Sequence, residues 1–146
     1  MIVAVERGCR AIERVSAGRI AHLNASGALP RLSAEVETLG RRGTRREPRP
    51  EEVAGYRWLI VRYGDTVEGV VAYEDRFDPH IGGEARHVRH IAGSAAACYR
   101  LIKHLAADCM RESLPMFGTI DMANFKMAQF ISRLGWVSER MTWVAP

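Results

Sequence analysis

The hydrophobic positions of the chain follow two periods, the two-residue alternation of strands and the three- to four-residue steps of helices. Residues 2–8 (IVAVERG) alternate and predict a short strand, whereas residues 10–24 carry apolar side chains at helical spacing. A second helix is predicted from Ser33, which can cap it, to Gly40, which ends it. The N-terminal part is therefore expected to form a strand followed by two helices.

The middle of the chain carries the clearest β-hairpin pattern. Two runs rich in β-branched and aromatic residues, YRWLIVRY at 56–63 and TVEGVVAYE at 66–74, are separated by Gly64 and Asp65. A two-residue connection of this kind is typical of a hairpin. The segment ARHVRHIA at 85–92 then predicts another strand with functional side chains. Unbroken alternation would place Ala85, His87, Arg89 and Ile91 on one side of it, and Arg86, Val88 and His90 on the other.

The second half predicts a long helix between two strands, followed by another helix. Residues 94–112 contain no Gly or Pro and repeat apolar residues at helical steps, which predicts a helix roughly 28 Å long. Residues 116–122 predict a strand, 124–134 an amphipathic helix and 136–144 a last strand. The predicted order is β, α, α, β, β, β, α, β, α, β, an α/β fold with a central mixed sheet flanked by helices.

The strand–helix–strand unit from Ala85 to Met122 is long enough for a crossover that makes its two strands parallel. A ligand is then expected where these strands end and the helices begin.

Composition indicates one domain. With 146 residues, 47% of them hydrophobic and 26% charged, the chain is expected to form a single domain spanning residues 1–146. No apolar run is long enough to span a membrane, and Glu6 and Arg7 interrupt the stretch that a signal peptide would need. These features predict a cytoplasmic protein that does not enter a membrane. Its three cysteines form no C-x-x-C pair and are interpreted as structural thiols.

Charge indicates an anionic partner. The net charge of +4 and the pI near 9.3 favour either nucleic acid or a nucleotide-bearing coenzyme. Residues 41–50 (RRGTRREPRP) hold five arginines, and Gly43, Pro48 and Pro50 exclude regular structure there. This basic loop is either a solvated connection or a phosphate-binding arm. It has no aromatic residues on which bases would stack, so nucleic acid is the weaker alternative.

Two segments of the second half carry a family resemblance. Residues 90–95 (HIAGSA) match [Q/R]-x-x-G-x-[G/A] except at the first position. In residues 124–136 (NFKMAQFISRLGW), Asn124 precedes Gly135 by eleven residues, and an aromatic residue follows the glycine. Together they resemble the motifs of the GCN5-related N-acetyltransferases (GNAT), over about residues 56–143. The resemblance implies a GNAT-like acyl-CoA N-acyltransferase fold that binds acetyl-CoA between its fourth and fifth strands and acetylates an amine.

The glycine turn at 90–95 is the expected coenzyme site. The first amides of a helix lack acceptors and carry the positive end of the helix dipole, so Gly93, Ser94 and Ala95 are expected to hold the pyrophosphate. Arg86, Arg89 and His90 would add positive charge. The alternative is a simple N-cap by Ser94 with the basic side chains in solvent. Asn124 either caps the following helix or holds the pantetheine arm. The expected coenzyme-binding residues are Arg89, His90, Gly93, Ser94, Ala95 and Asn124.

Acetyl transfer also requires a base for the amine, and Glu84 or His87 is expected to provide it, directly or through a water. The position where the family carries an acidic tyrosine is Ile131, which cannot donate a proton. This variant of the motif also resembles divergent GNAT-like proteins of bacteriophages. A second hypothesis is therefore an inactive fold that binds protein partners in an assembly such as a phage particle. His104 and Asp108 lack a third ligand at a suitable spacing, so no metal site is predicted.

Overall fold

The computed structural model describes residues 10–30, 50–118 and 125–137, which form a mixed sheet with helices on both faces. The sheet order within these residues is β1-β2-β3-β4-β5, with β4 and β5 parallel and the other neighbours antiparallel. The strands are β1 (Arg10–Val15), β2 (Arg57–Tyr63), β3 (Thr66–Asp78), β4 (Gly83–Gly93) and β5 (Met116–Gly118). The helices are α1 (Ala17–Ala25), α2 (Pro50–Gly55), α3 (Ala95–Glu112) and α4 (Phe125–Arg133).

The predicted helix over residues 10–24 is wrong in its first part, which forms strand β1. Pairing with β2 runs from Arg10 opposite Tyr63 to Val15 opposite Trp58. Ser16 then caps α1, because its hydroxyl accepts the Arg19 amide at 3.1 Å. The apolar residues of this segment fit either period, and tertiary pairing with β2 decides between them. The strand predicted at residues 2–8 and the helix predicted at 33–40 lie outside the described residues. The strand predicted at 136–144 lies outside them after residue 137.

The predicted hairpin is confirmed, and its second strand contains a β-bulge. Strands β2 and β3 are joined through Gly64, whose φ is 58°. Val61 pairs with Gly69 and Arg62 pairs with Val67, so Glu68 has no partner across the ladder. An unpaired residue of this kind bends a strand locally and increases its twist. Strand β3 therefore bends at Glu68, close to where the long helix begins.

A second bulge lies in β4 and corrects the predicted alternation. Ala72 pairs with His90 and Tyr73 pairs with Val88, which leaves Arg89 as the extra residue. The bulge moves His90 to the face that holds His87, and Ile91 to the face that holds Val88. The predicted sides of His90 and Ile91 were therefore wrong, because regular alternation takes no account of a bulge.

The long helix and the parallel crossover are confirmed. Helix α3 follows β4 directly, and β5 pairs with β4 from Arg86 opposite Met116 to Val88 opposite Gly118. Each face of the sheet carries its own core, one under α1 and one under α3. The α1-side core includes Ile20, Leu23, Leu29, Trp58, Ile60, Val70 and Ala72, and the α3-side core includes Leu59, Val61, Val71, Tyr73, Ala97, Leu101 and Leu105.

Among the described helices, none is both long enough and apolar enough to cross a membrane. The basic loop at 41–50 lies outside the described residues except for Pro50, which opens α2. Helix α4 ends at a glycine turn, as the sequence predicts. Gly135 has a φ of +85°, its amide donates to the Ser132 carbonyl, and the Trp136 amide donates to the Ile131 carbonyl.

Candidate active site

The N-terminus of α3 opens to solvent at the end of β4. Residues 93–96 are exposed, and the Ser94 hydroxyl accepts the Ala97 amide at 3.2 Å. The Ser94 amide donates to the Glu68 carbonyl at 3.3 Å. The amides of Ala95 and Ala96 lie in the first turn, where a helix offers no acceptor, and the described residues provide none. Two exposed amides at the positive end of a helix can bind an anion.

Small residues bring this first turn directly onto β3. A Cβ atom on Gly93 would lie 2.4 Å from the Glu68 carbonyl oxygen, and the φ of Gly93 is +133°. A Cβ atom on Gly69 would lie 2.7 Å from the Cβ of Ala97. Gly93 is therefore required by the fold at the Glu68 bulge, whatever the turn binds. The sequence left open whether this turn binds a pyrophosphate or only forms a helix N-cap. Gly93 and the N-cap by Ser94 are compatible with both alternatives.

The buried side chain of Arg86 links the sheet to the C-terminal end of α3 by hydrogen bonds. Its guanidinium donates to both carboxylate oxygens of Asp75, at 2.8 and 2.9 Å, and to Glu112 at 2.7 Å, while lying 4.9 Å from the Tyr73 ring centroid. Arg86 is 2% exposed. The hydrogen bonds from Arg86 hold the pKa of Asp75 below its usual range. The positive charge of Arg86 is thus neutralised near the C-terminal end of α3, whereas the exposed amides lie at its N-terminal end.

Arg89 and His90 also direct their side chains away from the N-terminus of α3. The Arg89 Nε donates to Glu74 at 2.9 Å, and its guanidinium lies 6.0 Å from the Tyr56 ring centroid. The His90 ring is buried and stacks on Trp58 with an interplanar angle of 5°. Trp58 belongs to the α1-side core, on the opposite face of the sheet from α3. These two side chains do not supply charge to the exposed turn, so any contribution they make to anion binding there comes from the backbone.

The two predicted bases lie on opposite faces of β4. Glu84 is exposed and pairs across the ladder with Phe77, on the α3 side. His87 pairs with Glu74, on the α1 side, and its ring meets the Phe117 ring edge-on. It is 5% exposed, and its Nε2 atom has no hydrogen-bond partner among the described residues. Burial, followed by the charges of Arg89 and Arg76, lowers the pKa of His87 to about 4.

The other positions that the sequence analysis singled out are Asn124, Ile131 and the pair His104 and Asp108. Asn124 lies just before α4, outside the described part. Ile131 is half-buried in α4 and offers only backbone groups to hydrogen bonding. His104 and Asp108 form a pair on α3, with Nε2 and Oδ2 3.4 Å apart. No group of three His, Cys, Asp or Glu side chains among the described residues is placed to hold a metal ion.

Sequence reasoning missed the role of Glu68 and its neighbours. The Glu68 carbonyl fixes the Ser94 amide, and Arg10 holds the Glu68 carboxylate with its Nε at 2.8 Å. The available signal was Gly69, since an isolated glycine inside a strand pattern indicates a bulge or a close backbone approach. The partners of Glu68 carried no such signal, because they lie far from it in sequence.

Comparison with solved structures gives the fold. No protein-family model and no curated protein sequence matches the chain. A ribosomal-protein-alanine N-acetyltransferase from Brucella melitensis biovar Abortus 2308 is similar, with a TM-score of 0.63 and 18% identity over 94% of this chain and 99% of that one. An integron cassette protein from the mobile metagenome of V. cholerae matches with a TM-score of 0.63 and 16% identity, over 94% and 91% of the two chains.

An aminoglycoside N-acetyltransferase solved in complex with CoA matches as well, with a TM-score of 0.63 and 11% identity over 94% of this chain and 95% of that one. These likenesses extend over 94% of this chain. The chain therefore has the GNAT fold, a mixed sheet flanked by helices that is shared with these acetyltransferases.

Proposed function

We propose that the protein is an N-acetyltransferase that transfers an acetyl group from acetyl-CoA to an amine. The observation that carries the proposal is the open N-terminus of α3, where the amides of Ala95 and Ala96 face solvent at the end of β4. The residues present fit a pyrophosphate, because the turn is exposed, its side chains are small and its free donors are backbone amides. The coenzyme would supply the acetyl group as an activated thioester.

The proposed coenzyme-binding residues are those of the turn, Gly93, Ser94 and Ala95, with Ala96 added by its exposed amide. Arg89 and His90 remain in the proposed set through their backbone alone, because their side chains are held on the α1 face. Asn124 is proposed to contact the pantetheine arm. The positive charge that attracts the phosphates then comes from the helix terminus rather than from arginine side chains.

His87 is the proposed base for the acceptor amine. It lies six residues before Gly93, roughly 20 Å along an extended strand. Its imidazole is neutral near pH 7, since its pKa is lowered to about 4. The same shift makes it a weak base, so its buried Nε2, which has no partner among the described residues, would accept a hydrogen bond from the amine, directly or through a water. Glu84 lies on the other face of the sheet, so it would act as the base only for an acceptor that approaches from the α3 side.

Ile131 leaves the proposed enzyme without an acid at the position where the family carries a tyrosine. We therefore expect solvent to protonate the leaving thiolate, and turnover to be slow. The alternative, an inactive fold in a phage particle, gains no support from the structural comparisons. Protein-assembly and nucleic-acid partners likewise have no support among the compared structures or the described contacts.

The proposal is tested by calorimetry of acetyl-CoA binding to the wild type and to Ala96→Glu. A carboxylate beside the exposed amides repels the phosphates, so affinity should fall at least about tenfold. The same carboxylate is favourable at a helix N-terminus, so thermal stability should be kept or slightly raised. Ala96→Gln, which has the same shape without the charge, is the control and should bind nearly as the wild type does.

Gly93 is unsuitable for this test, because any side chain there collides with the backbone of Glu68 and Gly69. Absence of acetyl-CoA binding at millimolar concentration would refute the coenzyme site. Equal weakening by Ala96→Glu and Ala96→Gln would also contradict it, because the effect would then be steric and would not involve the charge of the ligand.

A further inference from the structure

The surface around His87 has an uneven distribution of charge. Glu74 lies directly across the ladder from His87, on the same face of the sheet. Its carboxylate is held by Arg89, whose Nε is 2.9 Å away, and by Arg76, whose NH1 is 3.6 Å away. Two guanidinium groups therefore share one carboxylate beside the His87 ring.

The next carboxylate of β3 on this face of the sheet is already engaged by backbone amides. Asp78 is buried, and one of its oxygens accepts the amides of His80 at 2.8 Å and Ile81 at 3.2 Å. Its charge is therefore partly neutralised by the turn between β3 and β4. The lowered pKa of His87 agrees with an excess of positive charge, because Arg89 and Arg76 follow burial as its causes.

These charges disfavour a polycationic acceptor. Arg89 and Arg76 would repel ammonium groups, and both of them already contact the Oε1 atom of Glu74. A carboxylate or phosphate would instead find Arg76 accessible, since that side chain is 52% exposed and its pair with Glu74 is long. Such an anion at Arg76 would bring an amine on the same molecule towards His87, whose Nε2 is buried and has no hydrogen-bond partner among the described residues.

We propose that the acceptor is an amine that also carries an anionic group, with the anion bound by Arg76 and the amine directed to His87. This inference rests on the proposed function and narrows its substrate class. It distinguishes the chain from the similar structure solved as an aminoglycoside N-acetyltransferase, because aminoglycosides carry several positive charges and no anion.

Direct binding of matched amines tests the inference without the coenzyme. Two pairs differ only in the anion, β-alanine against β-alaninamide and phosphoethanolamine against ethanolamine, and spermidine represents a polycation. Ligand-observed NMR titration should show the anionic member of at least one pair binding at least about tenfold more tightly than its partner, since a charged hydrogen bond is gained. The pair with the larger difference identifies carboxylate or phosphate as the preferred anion.

Arg76→Gln should remove most of that preference, and Arg76→Lys should retain part of it. The control is Arg57→Gln, because Arg57 is 59% exposed and lies 3.8 Å from Asp75, a similar surface pair on the opposite face of the sheet. Arg57→Gln should leave the preference unchanged. The inference fails if neutral amines or spermidine bind best, if no amine binds, or if Arg76→Gln weakens both members of a pair equally.

Acetyl-CoA calorimetry on the same proteins separates this inference from the proposed function. If acetyl-CoA does not bind but the anionic amines do, the coenzyme proposal is wrong and the amine site stands. If acetyl-CoA binds and the amines show no dependence on their anion, the coenzyme site stands and the acceptor class proposed here is wrong.

Discussion

The imidazole of His87 is held neutral by its surroundings. Burial removes water from the ring, and the charges of Arg89 and Arg76 oppose protonation, which lowers the pKa of His87 to about 4 from an ordinary value of 6.5. Between these two pH values the unfolded chain binds a proton that the folded protein excludes. Stability therefore rises with pH across this interval and is lost as the pH falls from 6.5 towards 4.

Replacement of His87 by a residue that does not titrate should remove this part of the pH dependence. Between pH 6.5 and pH 5 the wild type should lose about 1–2 kcal/mol more unfolding free energy than His87→Asn. Urea unfolding at several pH values measures the difference. His22→Asn, a change at the exposed surface of α1, is the control for the loss of any histidine. Parallel curves for the wild type and His87→Asn would contradict the assignment.

At the residue level, the helix N-cap by Ser94 was predicted from the sequence and is confirmed. The roles of His87 as a base and of Gly93 in phosphate binding stay predictions. The sides of His90 and Ile91 were not predictable, because a bulge at Arg89 moves the following residues to the other face. Nothing in the local pattern ARHVRHIA marks that bulge, since it is set by pairing with β3.

At the scale of elements, helix α3 ends in a strained turn. Ser113 follows the helix in the left-handed region, with φ 54° and ψ 38°. The Ser113 amide donates to the Met110 carbonyl, and the Leu114 amide donates to the Cys109 carbonyl. This arrangement is the Schellman motif, in which glycine is preferred because a Cβ atom is unfavourable in the left-handed region.

Ser113→Gly should therefore raise the free energy of unfolding by about 0.5–1 kcal/mol. The higher conformational entropy that glycine gives the unfolded chain reduces this gain slightly. Thermal unfolding measures the gain. Ser113→Ala keeps the Cβ atom and should give no comparable gain, which makes it the matched control. A lower melting temperature for Ser113→Gly would show that the serine side chain contributes a contact that outweighs the strain.

Element-level prediction was reliable where local signals agree and failed where they compete. The β2–β3 hairpin combines β-branched residues with a glycine turn, and α3 combines a serine cap with an unbroken apolar stripe, so both were predicted from the sequence. Residues 10–15 carry apolar side chains that suit a helix, yet pair with β2 as a strand. A long-range partner decided that segment, and local periodicity contains no information about it.

At the scale of the whole molecule, an ion cluster centred on the buried Arg86 joins the sheet to α3. Arg86 on β4 contacts Asp75 on β3 and Glu112 at the end of α3, so three elements meet at one guanidinium. The helix is thus attached at both ends, through the Ser94 amide on Glu68 at its N-terminus and through Arg86 near its C-terminus. Attachment at both ends keeps the exposed first turn of α3 fixed relative to β4.

Removal of Arg86 should cost much more stability than removal of its exposed partner. Arg86→Met leaves the mostly buried Asp75 carboxylate with only the exposed Arg57, 3.8 Å away, as a charged partner, so unfolding free energy should fall by about 3 kcal/mol. Glu112 is 54% exposed, so Glu112→Gln should cost less than about 1 kcal/mol. The double variant Asp75→Asn with Arg86→Met should lose less unfolding free energy than the sum of the losses in the two single variants. In the double variant, the carboxylate that Arg86→Met leaves unpaired is absent. Urea unfolding of Arg86→Met, Asp75→Asn, their double variant, Glu112→Gln and the wild type tests this. A smaller loss in Arg86→Met than in Glu112→Gln would show that the cluster does not hold α3 to the sheet.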